Sequence, residues 1–290
     1  MDITLRAGGR WWLGDLRQVS LGTIPREALM EESFKGILYP ARLPSFTRIP
    51  APDAVSHLVQ WFWIPQWDIQ PGRSSRQHVI AYPASNLVVE GGTVVFAGAS
   101  TRAGFRDLSG KGWAVGALLR PAAVPLFTDG PTALLDTEKT LPLEALRLAV
   151  AAAMEGNDDG SRLGRAVDAF AEWLATVDAG LSSEAGLANR MVDVIAEDRS
   201  LMAIEDVAAA LSVSPRTLQR IAKKYVGLSP SALIRRRRLQ DAAQRARSDP
   251  TADLAAIAVE LGYADHAHLT NDFRKFLGFT PSSYRRESAP

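Results

Sequence analysis

The chain has 290 residues, 33 Lys+Arg against 32 Asp+Glu, 47% hydrophobic residues and no cysteine. That length favours two domains with real cores, and the missing cysteine excludes disulfides, thiolate metal sites and cysteine nucleophiles together. No apolar run is long enough to span a membrane, and MDITLRAGGRWWLGD at the start holds no stretch of signal-peptide type, so a cytoplasmic protein with no membrane partner is expected.

Residues 1–142 hold 12 of the 17 prolines and six of the seven tryptophans. Short β-rich runs recur there between turn signals: HLVQWFWI (57–64), QHVIAY (77–82), NLVVE (86–90), TVVFAG (93–98) and GWAVGALLR (112–120). Gly91-Gly92 between two of them reads as a two-residue hairpin loop. The pattern predicts a β-rich domain over 1–142, a small barrel or a sandwich. Within HLVQWFWI, Trp61 and Trp63 share one strand face and Phe62 takes the other. Trp61, Trp63, Phe105 and Trp113 are candidates for an effector pocket, with plain core as the alternative. His57 and His78 lack the spacing of a metal site, and no P-loop, dinucleotide fingerprint or nucleophile elbow occurs. Neither a cofactor nor catalysis is expected.

After Pro142 the apolar spacing becomes helical. LEALRLAVAAAME (143–155) and RLGRAVDAFAEWLATV (162–177) read as helices joined by the turn GNDDGS, with Ser161 as cap of the second. They make 143–181 a helical connector. Its face around Phe170, Trp173 and Leu174 suits either a homodimer or packing on the β domain. A third helix is predicted over 183–197.

The all-α remainder, 182–290, contains one pattern twice. IEDVAAALSVSPRTLQRIAKKYVGLSP (204–230) matches LAAIAVELGYADHAHLTNDFRKFLGFTP (254–281). Val207-Ala208, Leu211 and Val213 correspond to Ile257-Ala258, Leu261 and Tyr263. Leu218, Ala222, Tyr225, Gly227 and Pro230 correspond to Leu269, Phe273, Phe276, Gly278 and Pro281, one residue further on. Each copy reads as helix, short turn and second helix, over 204–225 and 254–276. Ser214 and Asp265 serve as N-caps, and Pro215 sits at a first helical position. This is helix-turn-helix geometry, in which the second helix enters a DNA major groove.

The near-zero net charge hides an asymmetry, since Ser214 to Arg247 holds ten basic residues and one acid. The outward positions Arg216, Thr217, Gln219, Arg220 and His266, His268, Thr270, Asn271 suit base edges. Lys223, Lys224, Arg274, Ser283, Arg285 and Arg286 suit phosphates. His266 and His268, two apart on a helix, splay too far to chelate one ion.

With these motifs, above all LGYADHAHLTNDFRKFLGFTPSSYRR, residues 186–287 resemble the AraC/XylS family of transcriptional regulators. YPARLPSF, VQWFWI and YPASNLVVE resemble, less specifically, a β-rich N-terminal domain of some members. Leu269 stands where the family often has Phe, and Asn271 where it often has Arg or Lys. The resemblance implies a sequence-specific DNA-binding regulator, responsive to an effector through its N-terminal domain, reading two groove segments roughly 34 Å apart. The competing readings are a DNA-targeted enzyme and an N-terminal small-molecule-modifying enzyme using the same reader. The resemblance also makes Ser231–Arg247 a helix joining the two reading heads. On that helix Arg237 is expected to point away from the packed stripe and Arg238 to brace it against a carboxylate. The run 235–238 as a whole is expected to hold the linker and raise local positive potential.

Overall fold

The computed structural model describes residues 45–156, 159–249 and 251–287. The opening segment, the first six residues of YPARLPSF and positions 157–158 of the connector turn lie outside the described residues. The N-terminal part contains β1 (Ser45–Pro50), β2 (Val59–Asp68), β3 (Ser74–Val79), β4 (Asn86–Glu90), β5 (Thr93–Ala97), β6 (Gly104–Ser109), β7 (Lys111–Leu119) and β8 (Glu138–Leu141). Six strands form one antiparallel sheet in the order β1-β2-β7-β4-β5-β8, and β3 and β6 form a separate two-stranded ribbon. β1 and β8 remain as sheet edges, so the described strands do not close a barrel. The Gly91-Gly92 hairpin is present, with Glu90 facing Thr93 across it.

Two helices, α1 (Glu144–Ala153) and α2 (Asp159–Val177), lie on one face of this sheet. Phe62, Ile64, Leu87, Val89, Phe96 and Val115 share a core with Leu146, Val150, Phe170 and Leu174. The segment read as a connector is therefore packed into the β core. Phe170, edge-on to Phe62 at 5.3 Å, is spent there and not in a dimer. Nor is Ser161 the cap of α2. The helix starts at Asp159, and the Ser161 hydroxyl accepts from Arg165 Nη1 at 2.7 Å.

The opposite sheet face carries Trp63 and Trp67, packed with Val88 and Ala114 beneath Leu108 of the ribbon. Trp63 fits because it faces Gly116 of β7, where a Cβ would sit 2.1 Å from the indole.

Seven helices follow: α3 (Ser183–Glu197), α4 (Ile204–Ala210), α5 (Pro215–Tyr225), α6 (Pro230–Ser248), α7 (Leu254–Glu260), α8 (His266–Asp272) and α9 (Pro281–Glu287). α8 continues into a single π turn over Phe273–Leu277. No described helix is long and apolar enough to cross a membrane. α4 with α5, and α7 with α8, are the two copies of the repeat. They bury separate cores, one around Val207, Leu218, Ile221 and Tyr225, the other around Ile257, Leu261, Leu269 and Phe273. Only α6 contributes to both.

The repeat extends to the backbone. In the first turn Ser212 N–H bonds Ala209 O at 3.1 Å and Val213 N–H bonds Ala208 O at 2.9 Å. The second turn repeats the pair through Gly262 to Val259 (2.9 Å) and Tyr263 to Ala258 (2.8 Å). Both are Schellman closures, which need a left-handed residue after the helix. Gly262 takes φ +71° freely, whereas Ser212 takes φ +55° against its own Cβ. Ser212→Gly should therefore stabilise the chain by about 1 kcal/mol in denaturant unfolding. Gly262→Ser should destabilise it, because the added Cβ also meets Met202 Cε at 2.9 Å and Arg238 Nη2 at 3.0 Å.

Candidate nucleic-acid interface

α5 starts at Pro215, with the Ser214 hydroxyl accepting from Thr217 N–H at 3.1 Å. Leu218, Ile221, Ala222 and Tyr225 are buried, which leaves Arg216, Gln219, Arg220, Lys223 and Lys224 on the outer side. Among the described residues, Arg216, Gln219 and Lys223 make no side-chain hydrogen bond or ion pair. Thr217 is half-buried, its hydroxyl 2.9 Å from Ser214 Oγ, so it also serves the cap. Arg220 and Lys224 are both held by Glu184 of α3, Lys224 Nζ at 2.5 Å. The Tyr225 hydroxyl donates to the same carboxylate at 3.0 Å. Lys224 first and Arg220 next hold the Glu184 carboxyl down to about 2, so it stays charged at any physiological pH.

In the second copy Asp265 caps α8 by accepting from His268 N–H at 2.7 Å. His266, Asn271 and Arg274 are exposed. His268 and Thr270, expected on the outer face, are partly withdrawn. The His268 ring stands edge-on to Tyr263 at 5.2 Å, with Nε2 3.2 Å from Arg235 Nη2. The Thr270 hydroxyl is enclosed by its neighbours. Two of the expected phosphate ligands are also engaged. Ser283 exchanges bonds with Thr280, accepting from its N–H at 2.9 Å and donating its own N–H to Thr280 Oγ1 at 3.1 Å. Arg285 donates to Ala252 O at 2.8 Å. Arg286 remains exposed.

The arginine run differs most from expectation. Arg237 does not point away: it is 5% exposed and donates to the carbonyls of Asp198 and Leu201, each at 2.8 Å. Arg238 braces the helix, but against the Leu261 carbonyl and the Tyr263 ring, 4.8 Å to its centroid, rather than a carboxylate. Arg236 is 3% exposed, donates to Ala81 O of the N-terminal part and lies over Phe276 at 4.3 Å. Burial pulls its guanidinium down to about 10. Only Arg235 is paired to acid, in a fork on the fully buried Asp272 with bonds of 2.7 and 2.5 Å. The run holds the linker as expected, but Arg236 and Arg237 do so from beneath neighbouring chain, while Arg235 stays 45% exposed.

The N-terminal part also grips both heads. Asn189 of α3 accepts from Ala122 N–H at 2.9 Å and donates to His57 O at 2.8 Å, while Arg120 pairs with Asp193. At the other head, the carbonyls of Phe276 and Lys275 in the π turn accept from Ala81 N–H (2.9 Å) and Ala103 N–H (2.8 Å). The His78 ring rests against Gly278 and Phe279.

The four expected pocket aromatics do not meet. Trp113 packs toward the helix-bearing core, Trp63 on the opposite sheet face, and Trp61 lies edge-on to Tyr82. Phe105 is 68% exposed on the ribbon and stacks on His78. Trp113 borders an open cleft of about 700 Å³, together with Gln66, Trp67, Asp68, Lys111 and Arg162.

Residues 207–287 match a family model described as a helix-turn-helix domain, and residues 47–140 match one described as a domain of unknown function, DUF6597. A protein of Streptomyces antibioticus named as an AraC-like transcription regulator is 32% identical over 128 residues, 44% of this chain and 40% of that one. The HTH-type transcriptional regulator VirS of Mycobacterium tuberculosis is 38% identical over 110 residues, 36% of this chain and 31% of its own length. The chain thus spans two fifths or less of these relatives. Among solved structures, ToxT from Vibrio cholerae aligns over 84% of this chain and 97% of its own, with 11% identity and a TM-score of 0.41.

The arginine geometry yields a stability contrast. Arg237→Met should lower the unfolding free energy by about 2–4 kcal/mol, because two carbonyls lose a charged donor. Arg245→Ala, which removes an exposed pair with Glu260, should stay within about 0.5 kcal/mol in the same denaturant titration.

Proposed function

We propose that this chain, which carries an AraC-type helix-turn-helix domain over residues 207–287, is a sequence-specific DNA-binding transcription regulator that responds to an effector through its N-terminal part. The observation that carries the reading is the pair of capped second helices, α5 and α8. Each presents an exposed polar row over a buried apolar stripe: Arg216, Gln219, Arg220 and Lys223 on one, His266, Asn271 and Arg274 on the other. Arginine suits guanine O6 and N7, and Gln219 and Asn271 suit adenine N6 and N7. Lys223 and Arg274 lie late on their helices, where phosphates come within reach. Thr217, His268, Thr270, Ser283 and Arg285 hold these elements in shape, and Lys224 acts through Glu184. The reading places the chain in the cytoplasm, the compartment that holds the duplex DNA of the bacteria in which the similar proteins occur.

The effector part of the reading rests on the cleft beside Trp113. It joins an indole and the apolar rim of Trp67 to the polar groups of Gln66, Asp68, Lys111 and Arg162, a mixture suited to a small polar-apolar molecule. Native mass spectrometry of the chain purified from cells tests this directly: a retained small molecule lost on Trp113→Ala supports the cleft, and retention unchanged in that variant removes it.

Selection of binding sites from random duplexes tests the DNA reading. Gln219→Ala should relax the preference at one base position by about 1–3 kcal/mol. Lys223→Ala should weaken all sequences alike and flatten the slope of log K against log salt by about 0.9. An unchanged selected motif for Gln219→Ala would contradict the base-reading role of α5.

A further inference from the structure

We infer that Glu184, outside both helix-turn-helix motifs, is a specificity-determining positioning residue: its carboxylate holds Arg220 for base reading and withholds Arg220 and Lys224 from indiscriminate phosphate contact. The inference rests on the DNA reading of α5 given above.

Glu184 stands in the first turn of α3, behind Ser182, whose hydroxyl accepts from Ala185 N–H at 3.2 Å. Its backbone is therefore set by a capped helix start rather than by a loose loop. From that fixed point one carboxylate takes three donors of α5, at positions 220, 224 and 225. Residues four apart share a helix face, so Glu184 runs along one flank of the reading helix. Arg216, Gln219 and Lys223 are left beyond its reach.

The geometry is asymmetric in a useful way. The Glu184 side chain is 28% exposed, whereas Arg220 is 59% and Lys224 51% exposed. The anion is the sheltered partner and the cations are the presented ones. Arg220 is bound through Nη1 to Oε1, and a guanidinium has five donors in a rigid fork. Anchoring one corner leaves a second edge for a bidentate contact with a guanine. A free arginine on an exposed helix can turn to whichever phosphate lies nearest, and phosphates carry no sequence. A tethered one meets only the group in front of it.

Charge points the same way. Arg220, Lys224 and Glu184 together sum to a single positive charge; without the carboxylate the group carries two. Each additional neutralised phosphate steepens the salt dependence by about 0.9 and raises affinity for every duplex alike. Glu184 thus lowers general affinity and raises discrimination.

The test uses the full chain, with wild type, Glu184→Gln and Glu184→Asp. A duplex selected by the wild type and a scrambled duplex of equal length are titrated over a salt series, and thermal melts are recorded alongside. Gln keeps the shape and removes the charge. Glu184→Gln should bind the scrambled duplex several-fold tighter at low salt, with a slope steeper by about 0.9. The ratio of selected to scrambled affinity should fall about tenfold, and adding Arg220→Ala should lower it no further. Glu184→Asp, which keeps the charge, should keep the wild-type slope. Unchanged slope and ratio in Glu184→Gln would overturn the inference. So would an equal loss on both duplexes with a lowered melting point, the signature of a brace between α3 and α5 alone. If Glu184→Gln does not fold, Glu184→Asp with the slope expected of an uncharged flank is the contradicting result. A wild type that selects no sequence would instead overturn the DNA reading, and this inference with it.

Discussion

Four consecutive arginines on α6 hold this molecule in one arrangement. The two helix-turn-helix copies bury separate cores, and α6 is the one element common to both. A single helix leaves two small heads free to rock unless its sides are tied down. Arg237 ties it to the chain leading into the first copy, Arg238 and Arg235 tie it to the second, and Arg236 ties it to the β domain. Three of the four end on neutral carbonyls. A carbonyl meets a buried guanidinium without adding a carboxylate to be desolvated, although Arg236 Nε and Nη1 and Arg237 Nε find no hydrogen-bond partner among the described residues. The spacing between α5 and α8, on which any two-site reading depends, follows from this hub.

The same hub ties the reading heads to the N-terminal part. Ala81 is used twice, its N–H capping the π turn after α8 and its carbonyl receiving Arg236. A helix end leaves carbonyls without partners inside the helix, and here the β domain supplies them. The first head is gripped through Asn189 and Arg120. These bonds join the β domain directly to both heads.

Much of this was legible from residues alone. The repeat of apolar positions located both motifs, their caps and the extra turn residue, because local spacing and capping chemistry dictate those features. β2, β4, β5 and β7 were legible through their β-branched and aromatic runs; the run 77–82 overlapped β3 only over 77–79, and β1 was not foreseen. β6, GFRDLS, and β8, EKTL, were not, since each is mostly exposed and carries no apolar alternation. They are strands through partners far along the chain. The same limit applied to the arginines. Nothing within a few residues of Arg237 marks the Asp198 and Leu201 carbonyls as its partners, and Glu184 lies 36 residues from Arg220. Charge density read along the chain suggested a field, whereas burial by distant segments converted it into internal bonding. Trp113 erred in the same sense: alternation gives faces within a strand but not which aromatics of different strands share one.

The central claim is that Arg236 and Arg237 of α6 are spent inside the protein while the arginines of the reading helices are offered to DNA. Arginine-selective labelling with phenylglyoxal, read by peptide mass spectrometry with and without duplex, tests it most directly. Arg236 and Arg237 should be unreactive in both states, and Arg216 and Arg274 should react in the free chain and be protected by DNA. Reactive Arg236 and Arg237 that become protected on binding would contradict the account.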